Sequence, residues 1–178
     1  MTDGDDKRLP KGLKLQARDT EDLNILSAAL QDALIPVADF AYLPDDRTFV
    51  GVFNRFMWEV EPVALSSWEP MGDDEPDRIA GQAAPPAPYH FRTHSALVFR
   101  DVDRVQAKGM TATPQPPFLC LLAIRSDAAA HEVQLDFAGH ATIRLTVSTI
   151  HAVLEDKGIP WATRNQPSHP FAETAATP

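Results

Sequence analysis

With one cysteine in 178 residues, Cys120, the chain cannot form an internal disulfide. Positive charge is also scarce. Sixteen Lys and Arg stand against 25 Asp and Glu, for a formal net charge of −9. That balance excludes broad attraction to nucleic acid or to anionic membrane, both of which need a positive field, and leaves room only for a local basic patch. No apolar run approaches the ~20 residues that cross a bilayer. The opening stretch, Met1 to Arg8, is acidic and polar with no apolar stretch behind it, so no secretory signal is read and the expected location is the cytoplasm. Also missing are GxSxG, the phosphate-binding GxxxxGK[ST] loop, GxGxxG, HExxH and CxxC. Without these patterns no cofactor is expected, and the reading leans away from an enzyme.

What remains is an ordinary globular composition, 44% hydrophobic and 23% charged, which buries enough surface to fold without staples or metals. Residues 1–11 read as a flexible lead, 12–163 as a single domain and 164–178 as a disordered tail, both ends lacking periodic apolar residues. Within the domain, 61–88 holds Pro62, Pro70, Pro76, Pro85, Pro86 and Pro88 with the acids Asp73, Asp74, Glu75 and Asp77. It reads as a disordered loop.

Alternation predicts a strand at Leu13, Leu15 and Ala17. Asp19 or Thr20 then caps a helix whose apolar face is Leu23, Leu26, Leu30 and Leu34. Pro36 stops it. Val37 to Leu43 and Thr48 to Glu59 read as strands joined by the turn Pro44-Asp45-Asp46. Tyr89 to Arg100 alternates cleanly, with Phe91, Thr93, Ser95, Leu97 and Phe99 on one face. Val102 to Ala107 reads as a further strand. Phe118 to Arg125 is apolar enough to be buried on both faces, which makes Cys120 an inert core thiol. In the next hairpin Val133, Leu135 and Phe137 match Ala141, Ile143, Leu145 and Val147. A three-residue loop, Ala138-Gly139-His140, then puts Gln134 opposite Arg144 on the solvent side. Ser148 or Thr149 caps an expected final helix with Ile150, Val153 and Leu154, closed by Lys157 and Gly158. The predicted class is α+β: seven or eight mainly antiparallel strands in a strongly bent sheet or partly open barrel, with a helix near each end.

Candidate chemistry is confined to cations. His90 and His94 lie about 13 Å apart along a strand, too far for one zinc with bonds of about 2.1 Å, so no metal site is expected. Arg92, Arg100, Arg104 and Lys108, with His90 and His94, form a basic stretch in an acidic chain. It reads as solvated strand edges or, functionally, as a strip for anions and carboxylates, which arginine recognises bidentately. Arg55 is the other outlier. An arginine inside a strongly apolar strand needs a partner, either in a structural ion pair, with Asp39 a candidate, or in a polar pocket.

Several stretches carry a family resemblance. They are Asp22-Leu23, Leu26 through Ala33, Asp39-Phe40-Ala41-Tyr42-Leu43-Pro44, Asn54-Arg55-Phe56-Met57-Trp58-Glu59, Leu122-Ala123-Ile124-Arg125, Leu135-Asp136-Phe137-Ala138-Gly139 and Ile143-Arg144-Leu145. Over residues 13–163 the chain resembles the family called domain of unknown function 2948. The resemblance implies a small alphaproteobacterial protein and no assigned activity, and it adds the surroundings of Arg55 and Arg144 to the residues of interest. The expected function is a non-catalytic binding or regulatory module for another cytoplasmic protein. The alternative is a binder of a small anionic ligand through Arg55, Arg92 and Arg144, and behind it an unrecognised enzyme. Convergent arginines in a concave pocket would favour the ligand, and a flat apolar patch the partner.

Overall fold

The computed structural model describes residues 9–63, 88–110 and 118–167. The expected lead, the acidic proline-rich loop and the tail fall largely outside the described residues. Those described form ten strands and one α-helix, and all strand pairs are antiparallel.

Strands β1 (Lys14–Ala17), β2 (Leu34–Pro36), β3 (Phe40–Leu43), β4 (Thr48–Phe56) and β5 (His90–Phe99) belong to the first sheet with β10 (Ala152–Thr163). The second sheet contains β6 (Val102–Lys108), β7 (Phe118–Asp127), β8 (Glu132–Phe137) and β9 (Thr142–Val147). The order is β1-β10-β5-β4-β2-β7-β8-β9-β6, with β3 beside β2 along the same edge of β4. β7 belongs to both sheets. Its residues 118–120 pair with β2, and from Leu121 on it pairs with β8, with a register shift between Leu121 and Ala123. A bulge bends a strand, so this one folds the second sheet back over the first. Their inner faces then share one core that includes Phe49, Phe53, Leu97 and Phe99 from one side and Leu135, Phe137, Ile143 and Leu145 from the other. Phe40 reaches across to Phe137 with ring centroids 5.8 Å apart. Gly51 makes room for that ring, since a Cβ there would stand 3.2 Å from Phe40 and 2.9 Å from Phe53.

Helix α1 (Thr20–Ala29) is capped by the Asp19 side chain, which accepts from the Asp22 amide at 2.8 Å. It buries Leu23 and Leu26, followed by Leu30 at its C-cap. Ser27 Oγ accepts from the Ile124 amide at 2.8 Å, satisfying a backbone donor on β7. No helix among the described residues is long and apolar enough to cross a membrane.

The expected α+β class with a helix near each end is corrected. Among the described residues the structure is mostly antiparallel sheet with a single α-helix, and the sheet does not close into a barrel. The segment read as a final helix is β10. Its Ile150, Val153 and Leu154 suit a helical spacing, but Ala152 and Leu154 also alternate inward with period two. Burial between β1 and β5 decides the matter, because both edges of the segment find backbone partners there. Gly158, expected to close the helix, instead adopts φ +81° where the β10–β5 register shifts between Lys157 and Trp161. That irregularity accommodates Pro160, which has no amide to donate. Leu34, expected on the helix, is the first residue of β2. The hairpin register is as read, with Gln134 opposite Arg144 and Leu135 opposite Ile143.

Candidate functional site

Strand alternation sends every second side chain of the first sheet outward, and the register aligns them in rows. One row runs Lys157, His94, Asn54, Leu34, Cys120 across five strands. The next runs Trp161, Arg92, Phe56. Beyond the end of β4, Trp58 turns back so that its ring lies 4.5 Å from Phe56 and its indole N–H donates to the Gln31 carbonyl at 3.2 Å. His90 stacks against Phe56 at 5.3 Å and His94 against Trp161 at 4.8 Å. On the far side of the five-strand row stand Val52 and Ala96, then Val50, Val98 and Val153. Val52, Trp58 and Phe118 are 37%, 39% and 55% exposed, and all three lie on this outer face. It is therefore a mixed surface, in which exposed Val52, Trp58 and Phe118 border the polar row of Lys157, His94 and Asn54, with Arg92 set over the buried Phe56 ring.

Cys120 is part of this surface, half-buried, and not of the core as expected. An apolar run does not reveal whether both faces are covered. Here β2 and the start of β7 are lidded only on the inside, so Phe118 and Leu122 are exposed. Burial and the nearby Asp32 push the Cys120 thiol up, with Arg92 acting in the opposite sense.

The candidate arginines do not converge. Arg55 points inward from β4 with no exposed surface. Its Nε and Nη2 bind Asp156 at 2.8 and 2.6 Å, its Nη1 and Nη2 bind Glu59 at 3.0 and 2.7 Å, and Nη1 also donates to the Phe56 carbonyl at 3.3 Å. All five guanidinium donors are thereby used. Asp156 further accepts from Ser95 Oγ at 2.5 Å and from the Leu13 amide at 2.7 Å. Burial alone would raise its carboxyl, yet these hydrogen bonds hold it below the usual carboxylate range. Burial likewise opposes the charge on Arg55, and the two carboxylates more than compensate, raising its pKa. The ion pair links β4, β10 and the entry to β1. Asp39, the partner anticipated from the sequence, takes no part.

The basic stretch also separates. Arg92 lies on the first sheet, exposed Arg100 at the corner between β5 and β6, and Arg104 and Lys108 on the second sheet. Arg144 stands on the outer face of the second sheet, 3.4 Å from Glu132. Beside it Gln106, Lys108, Gln134 and Thr142 line a shallow hollow of about 450 Å³. Among the described residues no group of three or more His, Cys, Asp or Glu is placed to hold a metal ion.

Sequence reasoning missed Asn54, Phe56, Trp58 and Trp161 as neighbours of Arg92. For the first two the signal was available, since alternation around an inward Arg55 sends both outward. Trp161 had none, because its segment was not read as a strand. The family model described as protein of unknown function (DUF2948) matches residues 13–169. The chain belongs to that family. No curated protein and no solved structure matches it.

Proposed function

We propose that this DUF2948 protein is a non-catalytic binding module that docks another cytoplasmic protein on the outer face of its first sheet. The observation that carries the reading is that three large apolar side chains, Val52, Trp58 and Phe118, are exposed on one face. Contiguous exposed patches of this kind mark interaction sites in soluble proteins, and Trp and Arg are enriched among the residues that dominate binding energy. The small-anion alternative loses Arg55, whose donors are all occupied. It retains Arg92 on one face and, apart from it, the hollow beside Arg144 and Lys108 on the other.

Affinity capture with tagged protein tests the reading by comparison of variants. A specific partner is expected to bind the wild type and Arg144→Ala equally and to be lost with Phe118→Asp or Trp58→Ala, at unchanged melting temperature. A partner retained by both outer-face variants and lost with Arg144→Ala overturns it.

A further inference from the structure

Of the arginines among the described residues, only Arg55 and Arg92 are withdrawn from solvent, and their surroundings differ. Arg55 is held by two carboxylates. Arg92 is half-buried and forms no ion pair among the described residues, in a chain with 25 acidic side chains. Its Nη1 donates to the Asn54 carbonyl and Oδ1 at 3.3 and 3.2 Å, and its guanidinium carbon stands 5.8 Å from the centroid of the Phe56 ring. Burial pushes its pKa down, and Cys120 and Asp32 act in the opposite sense.

Asn54 and Phe56 thus fix the plane of the guanidinium through one nitrogen and one face. The Nε–Nη2 edge, one of the edges that binds a carboxylate in parallel hydrogen bonds, has no partner among the described residues. Apolar rings flank it along the row, with Phe56 and Trp58 to one side and Trp161 to the other. Lys157, the nearest fixed cation in the adjoining row, is already paired with Glu155 at 2.9 Å. We propose that the surface recognises a protein segment bearing one carboxylate side chain next to apolar residues. The carboxylate pairs with the free edge of Arg92, and the apolar neighbours pack on Trp58 and Trp161, the Phe56 ring beneath being only 2% exposed. This inference rests on the docking reading above and names the chemistry of the docked segment. The net charge of −9 sharpens it, since a non-specific field around this protein repels acidic peptides.

The test is selection of a phage-displayed heptapeptide library on the full chain, followed by titration of a selected synthetic peptide. Enriched sequences should carry Asp or Glu beside aliphatic or aromatic residues. Replacing that acid by its amide should weaken binding to the unaltered protein by about tenfold or more, the scale of a charge-assisted hydrogen bond. Arg92→Gln should show the same loss and Arg144→Gln none, while Arg92→Glu should select Lys or Arg at that position. The amide peptide requires no protein variant, so a misfolded Arg92 substitution does not spare the proposal. Equal binding of acid and amide peptides overturns it, as does the absence of any enriched family. Purely apolar peptides whose binding Phe118→Asp abolishes would overturn the carboxylate inference and leave the docking reading standing. Peptides indifferent to every outer-face substitution would remove both.

Discussion

On the second sheet the outward side chains answer one another. Arg125 Nε lies 3.2 Å from Asp136 Oδ2, Arg144 meets Glu132 at 3.4 Å, and Gln134 donates to Asp136 Oδ1 at 2.7 Å. Asp136 Oδ2 has no hydrogen bond of good geometry among the described residues, and the Arg125 charge 3.2 Å away compensates it. Gln106, Arg144, Gln134 and Arg125 form a continuous polar row. On the first sheet a row of Lys157, His94 and Asn54, with Lys157 paired to Glu155, lies between rows that hold Trp161, Arg92 and Phe56, or Val98 and Val50, and Arg92 is left without a carboxylate among the described residues. Both faces belong to antiparallel strands around one core, so architecture does not explain the contrast. A surface whose charges are matched locally gains little from a partner, because water already serves it well and exposed pairs contribute only ~0–1 kcal/mol. A half-desolvated cation beside the exposed Trp58 ring gains on both counts when a partner of opposite charge covers them.

The comparison can be broken or sharpened by substitution, and the largest effects should lie under the faces. Leu145, one residue from Arg144 but fully buried, should not tolerate Leu145→Asp, which places an unpaired charge in the core. Loss of the cooperative melting transition is expected, and a retained transition would contradict the inward placement of Leu145. Arg55→Met should cost about 3–5 kcal/mol in urea denaturation, because it strands Asp156 beside the core. A loss below about 1 kcal/mol would mean the ion pair is not structural.

Acid provides a third test. The Asp156 carboxyl is held low in the folded state, so its contribution is present above the unfolded value of about 3.9. That contribution is lost as pH falls from there through the depressed folded value. Stability measured at about pH 7 and again at about pH 3 should fall more in wild type than in Asp156→Asn. Equal falls would assign acid sensitivity elsewhere.

On the faces themselves stability should change little. Arg92→Gln should cost about 1 kcal/mol or less, the scale of its contact with Phe56, while abolishing capture of the partner. Unchanged capture would remove the distinction between the faces. Arg144→Ala should be the mildest, within about 0.5 kcal/mol in chemical denaturation and silent in capture.

How far the sequence could be read varies by element. Clean alternation placed Phe91, Thr93, Ser95, Leu97 and Phe99 on one face, and all five are buried. Hydrophobic matching across Ala138-Gly139-His140 set the hairpin register, because a slip by one residue would have turned Leu135 and Ile143 to solvent. The segment after Thr149 was ambiguous, since Val153 and Leu154 satisfy either period, and the partners that settle it lie in β1 and β5, far away in sequence. The candidate site was legible only as separate cations. Arg92 stood out, and alternation around Arg55 turns Asn54 outward, but which strand Asn54 faces and where Trp161 lies depend on pairings that span tens of residues.

By itself, then, the sequence determined what depends on local periodicity and composition: α1 with its Asp19 cap, the alternating strands, the hairpin register and an acidic chain that keeps Arg55 paired. Only the tertiary structure decided what depends on non-local pairing. It turned the last segment into a strand between β5 and β1, sent Cys120 to the surface, gave Arg55 the carboxylates of Asp156 and Glu59, and divided the basic stretch between two sheets. The reason is physical. A strand's backbone partners and the far wall of its face are supplied by residues distant in the chain, and local pattern carries no record of which distant residues those will be.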